Sequence, residues 1–186
     1  MQIWLTSDNH FWHENIYKFI YTDKFGVERR VREQFKDAKE GNEFMLQAWR
    51  DQIKPEDHLW HLGDVTMFRG NHMVHAFVGL IQSLPGHKRL ILGNHDHYDM
   101  KVYREAGFQK IRGSNKIDNL LLTHYPVHHT SIPARCIGNV HGHTHIQADL
   151  APMVTQERII KWRNICVERT GYRPIPIEEV QAGFKK

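Results

Sequence analysis

The sequence predicts an α/β domain built on two β-sheets or one large mixed sheet, and three observations lead there. Strand-like and helix-like segments alternate through the first half of the chain, and β-type segments dominate the second half. Five of the apolar, strand-like runs end directly in Asp, Asn or His.

The elements follow in order. MQIWLTS at the start is an apolar run closed by polar residues, as a buried strand is. Residues 43–53, EFMLQAWRDQI, carry apolar side chains at 45, 49 and 53, one face of a helix. DHLWHLG at 57–63 reads as the second strand. From 72 to 84, Val74, Phe77, Val78, Ile81 and Leu84 keep helical spacing until Pro85-Gly86 ends it. RLIL at 89–92 suits a strand buried on both faces. A short helix is expected over 99–106, then strands over 117–124, 137–142 and 158–167. Pro174 and Pro176 break the chain before a helix-like stretch at 177–184, and the charged, Gly-containing segment 21–42 reads as a loop excursion.

A length of 186 residues suits one domain, taken here as 1–186, with enough chain to bury a core. Apolar residues make up 40% and charged residues 25%, an ordinary balance for a globular protein. There is no apolar run of about 18 residues and no basic, apolar leader at the N-terminus, so the expected location is cytoplasmic, with no membrane partner. Cys136 and Cys166 lack the spacing of a disulfide framework or a zinc knuckle and read as buried thiols. A net charge of +4 favours phosphate-bearing partners, although Lys and Arg are scattered and form no stripe.

The strand ends carry the chemistry. They read Ser7-Asp8-Asn9-His10, Gly63-Asp64, Gly93-Asn94-His95-Asp96, Thr123-His124 and Gly142-His143-Thr144-His145. Ligands of open α/β sheets gather beyond the carboxyl ends of the strands, so these clusters are placed to converge. Carboxylate, amide and imidazole without thiolate suit manganese, iron, zinc or nickel better than a structural zinc. Asp8, His10, Asp64, Asn94, His124, His143 and His145 are too many ligands for one ion. Two ions sharing a carboxylate use all of them, and Asp64, alone at its strand end, is the natural bridge.

The ordered series DxH, GD, GNHD, an isolated His and GHxH resembles the calcineurin-like metallophosphoesterases over roughly residues 1–170. SDNHFWHENI, HYP at 124–126 and RNICVE further resemble the compact bacterial and phage members. The resemblance implies two packed mixed sheets flanked by helices, a four-layer sandwich. It also implies two divalent ions, manganese first with iron, zinc, nickel and cobalt as alternatives. Asp8, His10, Asp64 and His145 would hold one ion and Asp64, Asn94, His124 and His143 the other. His95 would be the catalytic acid. One departure is that many relatives carry a further Asp or Asn, and often Arg, after the GD pair, where this chain reads VTMF.

Beside this set, Asp96 is a candidate to orient the His95 ring, as acids do for catalytic imidazoles. His13 and Arg135 are candidates for substrate phosphate, and Asn15 is a weaker one. Trp12, flanked by His10 and His13, is positioned either to stack on a base or to pack its loop. His141 reads as a structural neighbour of the ligands. The expected activity is binuclear metal-dependent hydrolysis of a small phosphodiester or nucleotide, cyclic nucleotides included. A nuclease acting on DNA or RNA and a phosphomonoesterase are the alternatives, and a non-catalytic interaction module fits less well.

Overall fold

Two five-stranded sheets stack face to face in the computed structural model of the chain, which describes residues 1–67, 70–147, 150–155 and 159–185. The first sheet holds β1 (Ile3–Thr6), β4 (His58–His61), β5 (His87–Ile91) and β6 (Lys110–Arg112) in parallel, with β12 (Ile175–Pro176) antiparallel against β1. The second runs β10 (Met153–Val154), β11 (Ile159–Asn164), β9 (Gly138–His141), β8 (Leu120–Thr123), β7 (Ser114–Ile117), and its outer pairs are antiparallel. A separate hairpin joins β2 (Ile20–Thr22) to β3 (Glu28–Arg30).

Strand alternation sorts the core. Leu5, Trp60 and Ile91 face Leu120, Leu122 and Val140 between the sheets. The neighbours Leu59 and Leu90 point the other way, into a cluster with Met45, Trp49, Phe77, Ile81 and Tyr103 from α1 (Ala38–Gln52), α2 (Val74–Gln82) and α3 (Met100–Glu105). Each such side chain contributes about 1.5–3 kcal/mol on burial. The final helix, α4 (Ile177–Lys185), sends Ile177, Val180 and Phe184 into the inter-sheet cluster. The outer face of the second sheet is covered more thinly. Ile132, Cys136 and Val127, on a segment with a single 3-10 turn at His129–Ser131, close over Leu121, Ile160 and Trp162.

Three expectations need adjustment. The loop excursion 21–42 contains a hairpin and the first turn of α1, which begins at Ala38 because Asp37 caps it by accepting from the Glu40 amide at 3.0 Å. The single strand expected over 117–124 is a hairpin. Ile117 pairs with Leu120, and Asp118 takes φ +51° in the two-residue turn. The strand expected over 158–167 is observed over Ile159–Asn164, and its first residue, Arg158, lies outside the described residues. No helix among the described residues is long and apolar enough to cross a membrane.

Candidate metal centre

The parallel register brings the ends of β1, β4 and β5 to one rim of the first sheet, and β8 and β9 meet them from the second. There the backbone becomes unusual. Eight non-glycine residues among those described have positive φ, and six of them lie here: Asp8 (+57°), His10 (+48°), Trp12 (+65°), Asp64 (+56°), His143 (+68°) and His145 (+46°). Side-chain-bearing residues pay a steric penalty for this conformation and hold it only where the surroundings enforce it. Repeated at every second residue, it carries the chain out of strand geometry while side chains two apart still converge. The histidines of GNVHGHTH are divided in this way. His141 ends β9, and His143 and His145 lie beyond it on the left-handed stretch.

Gly142, between them, must be small. A Cβ there would fall against Ser7 Oγ and Asp8 Oδ2. His143 can therefore donate its amide to Asp8 Oδ2 at 2.9 Å. The same oxygen accepts from Ser7 Oγ and from Cys166 Sγ at 3.2 Å, while buried Oδ1 has no hydrogen-bond partner. Asp64 is divided similarly. Its Oδ1 accepts from the His95 amide at 2.8 Å, and its Oδ2 lies 3.5 Å from His10 Nε2 and 3.5 Å from His124 Nε2.

The imidazoles are oriented by their other nitrogen. His124 Nδ1 donates to the Leu62 carbonyl at 2.8 Å, leaving Nε2 beside Asp64 and 2.8 Å from Asn94 Oδ1. His145 Nδ1 lies 3.2 Å from Glu168 Oε2, and its Nε2 lies 3.9 Å from Asp8 Oδ1. His10 is 2% exposed and neither ring nitrogen has a hydrogen-bond partner, although Nε2 stands 3.8 Å from Asp8 Oδ1. Buried polar atoms without partners are costly in a folded chain. Asp8 Oδ1 and His10 Nε2 stand together in that state, and a cation would satisfy both.

The ligand atoms gather as Asp8, His10 and His145 in one group and Asp64, His124 and His143 in another, each within 4.8 Å. Asp64 Oδ2 reaches towards the first group through His10, and Asn94 joins the second through His124. The donor chemistry and these orphaned atoms fit divalent ions. Burial disfavours the imidazolium of His124, but its contact with Asp64 and the field of Asp8 outweigh this and raise its pKa to about 9. Burial and the neighbouring cationic groups lower His10 well below the usual imidazole value.

Asp96 also has a structural task. Its two oxygens accept from the amides of Asp64 (2.9 Å), Val65 (3.1 Å) and Gly93 (2.8 Å), tying the loop after β4 to the loop after β5. Desolvation moves its pKa up to about 6 in spite of those amides. His95 stands beside the cluster, its ring centroid 5.3 Å from that of His10. His13 lies on the other flank, 5.6 Å from His10, with a buried Nδ1 that has no hydrogen-bond partner. Arg135 is not brought to the cluster. It is exposed on the segment that covers the outer face of the second sheet. His141 is buried, with Nδ1 2.8 Å from the Gly142 carbonyl.

Several functional side chains escaped sequence reasoning. Glu168 holds His145 and pairs with Arg32 at 2.8 Å, and Arg32 in turn donates to the carbonyls of Asp8 (2.8 Å) and Asn9 (2.9 Å). Burial opposes the Glu168 charge, but Arg32 and His145 hold its pKa down to about 2. Glu168 ends the RNICVE string, which was a signal. Arg32, inside a segment read as loop, offered none. Cys166 receives the His145 amide on its sulfur, and burial raises its thiol pKa well above the ordinary value. It is therefore a protonated donor to Asp8. His61, fully buried, hydrogen-bonds Asn9 Oδ1 at 2.8 Å and accepts from the Gly63 amide at 3.2 Å, joining the turns after β1 and β4.

This fold and this site are those of a phosphoesterase class. The chain belongs to the calcineurin-like phosphoesterase family, whose sequence pattern matches residues 1–175. It is 27% identical to the gene 66 protein of Mycobacterium phage L5 over 185 aligned residues, covering 84% of this chain and 81% of that one. It is 26% identical to an uncharacterized protein of Methanocaldococcus jannaschii, covering 95% and 88% respectively. Among solved structures, a protein of unknown function from Aquifex aeolicus superposes with a TM-score of 0.67 at 28% identity, covering 97% of this chain and 98% of that one. Membership implies metal-dependent hydrolysis of a phosphate ester.

Proposed function

We propose that the protein is a binuclear metal-dependent phosphodiesterase acting on small phosphodiesters. The observation that supports this best is the position of Asp64 Oδ2, equidistant at 3.5 Å from an imidazole of each ligand group. Asp8, His10, Asp64 and His145 would hold one ion, and Asp64, Asn94, His124 and His143 the other. With two such ions bound, manganese the first expectation, the site would supply a nucleophilic water at neutral pH and offset charge on the phosphoryl oxygens.

The protein's own groups do the rest. Ser7, the His143 amide, Cys166 and the His95 amide each occupy one carboxylate oxygen and so aim the other at the cluster. Leu62 and Glu168 set the ring orientation of His124 and His145, the hydrogen-bonded support that metal-binding imidazoles require. His95 is fixed through its amide on Asp64, and its ring, 5.3 Å from that of His10, would give a proton to the departing oxygen. His13 is held neutral at ordinary pH, because burial and Arg32 lower its pKa to about 4. It offers a phosphate oxygen a hydrogen bond without a full charge, which suits a diester monoanion better than a monoester dianion.

The test is hydrolysis of bis(4-nitrophenyl) phosphate and 4-nitrophenyl phosphate by protein stripped with chelator and reloaded with manganese. Activity restored by metal, with higher kcat/KM on the diester, is expected. Full activity in the stripped protein would end the metal reading. A preference of tenfold or more for the monoester, about 1.4 kcal/mol in transition-state binding, would end the diesterase reading.

A further inference from the structure

The string RNICVE begins in the last two residues of β11 and ends in a 3-10 turn, Val167–Arg169. β11 pairs with β9 in parallel as far as Asn164 opposite His141, and the Ile165 amide still reaches the His141 carbonyl at 2.9 Å. Beyond that point the two chains part, because the turn after β9 takes positive φ at His143 and His145. A chain that leaves its ladder needs other donors for its carbonyls. Asn164, 1% exposed, supplies them. Its Nδ2 donates to the His145 carbonyl at 2.8 Å, to Thr144 Oγ1 at 2.9 Å and to the Gln147 carbonyl at 3.1 Å, while its Oδ1 accepts from the Cys166 amide at 2.9 Å.

The next two alternate residues close on the same histidine. Cys166 Sγ accepts the His145 amide at 3.2 Å, and Glu168 Oε2 stands 3.2 Å from His145 Nδ1. Carbonyl, amide and one ring nitrogen of His145 are each held by a different residue of the stretch 164–168, which leaves Nε2 to face Asp8 Oδ1 at 3.9 Å. Glu168 sets how the ring turns. It does not set the φ of +46° at the His145 backbone, a conformation that histidine tolerates but does not prefer. The contacts from Asn164 and Cys166 are the ones that reach that backbone. Cys166 acts on the neighbouring ligand as well, since its Sγ donates to Asp8 Oδ2 at 3.2 Å. In the other ligand group, His124 takes its orientation from the Leu62 carbonyl, outside this stretch.

We infer that Asn164 and Cys166 are positioning residues that fix the left-handed backbone of His145, and that they set the affinity of the ion held by Asp8, His10 and His145 without setting that of its neighbour. The effect on one ion rests on the binuclear reading, whereas the hold on the His145 backbone does not. A residue that only stabilised the fold would weaken both ions together.

Manganese titrated into chelator-stripped protein, with the free ion counted by its EPR signal, tests this. The parent should hold two ions. In Asn164→Leu, similar in size but without the amide, one ion should bind about 10–100-fold more weakly, as when other partners of metal-binding groups are removed, and the second ion should stay within about threefold of the parent. Cys166→Ala should show the same one-sided loss, and Cys166→Ser, which keeps a donor and an acceptor, should recover most of it. Equal weakening of both ions, or no weakening, overturns the inference, and a Ser variant no better than Ala removes Cys166 from it. Should Asn164→Leu fail to fold, the Cys166 pair carries the same test. A parent that holds fewer than two ions ends the binuclear reading, and the backbone claim is then decided without metal. In chelator, the His145 Cε1–Hε1 resonance, identified by its loss in His145→Gln, should shift or broaden in Asn164→Leu and Cys166→Ala while that of His124, identified in the same way, stays in place. A static His145 resonance, or equal movement of both, overturns the inference.

Discussion

Replacing Glu168 with Gln separates two consequences of one buried carboxylate. Glu168 and Arg32 are paired at 2.8 Å with side chains 2% and 0% exposed, so water cannot take the place of either partner. Removing one member of a buried pair costs about 3–5 kcal/mol, because the other charge stays behind unpaired. Arg32 keeps the carbonyls of Asp8 and Asn9, which sets the expected loss at the lower end of that range. The acid's own titration gives a similar figure. A carboxylate held at about 2 against an ordinary 4.5 contributes about 3 kcal/mol at neutral pH. Glu168→Gln should therefore lose about 3 kcal/mol by urea unfolding at pH 7 in chelator. The depressed pKa also sets the sign with pH. The parent's advantage is complete above pH 4.5 and is lost as the pH falls towards 2. The second consequence acts through His145, whose ring loses its carboxylate partner at 3.2 Å. Manganese affinity at one of two sites, measured by calorimetric titration, should weaken by about 10–100-fold. A stability loss under 1 kcal/mol together with unchanged metal affinity would refute the reasoning on both counts.

Asp64→Asn should reduce bound manganese below two ions per chain by elemental analysis, and two tightly held ions would remove Asp64 from the bridging position. His95→Gln should keep both ions while kcat falls about 10²–10⁴-fold. The fall should be steeper for a methyl leaving group than for nitrophenolate, and equal losses would show that the ring donates no proton. His61, fully buried, has its pKa lowered to about 3 by burial, against 6.5 for a free imidazole. Between those values the unfolded chain takes up a proton that the folded chain refuses, so stability falls as pH drops. Metal-free protein should lose about 2 kcal/mol between pH 7 and pH 5 through this residue, and a His61→Asn variant with the same slope would exclude it as the source.

What the sequence determined by itself was the material of the site and its location. Asp8, His10, Asp64, Asn94, His124, His143 and His145 were legible because each follows a local apolar run, and local runs become strands whose ends share one rim. The helices over 43–53 and 72–84 were legible for the same reason, since their periodicity lies within a dozen residues. Hairpins with weak alternation, such as β7–β8, were not, because the turn at Asp118 depends on a backbone conformation that composition does not announce. The tertiary structure decided how these side chains are aimed. Asp8, His10, Asp64, His143 and His145 are of types that tolerate left-handed backbone better than most, and amides that Asp8 and His10 donate to Gly63 and Asp64 at 3.0 and 3.1 Å fix it in the first loop. It decided that Asp96 staples two loops, since its oxygens meet amides from both loops only once β4 and β5 lie side by side. It also joined Arg32 to Glu168 across 136 residues of sequence. A buried ion pair is specified by where the fold excludes water, and no pattern along either segment records that.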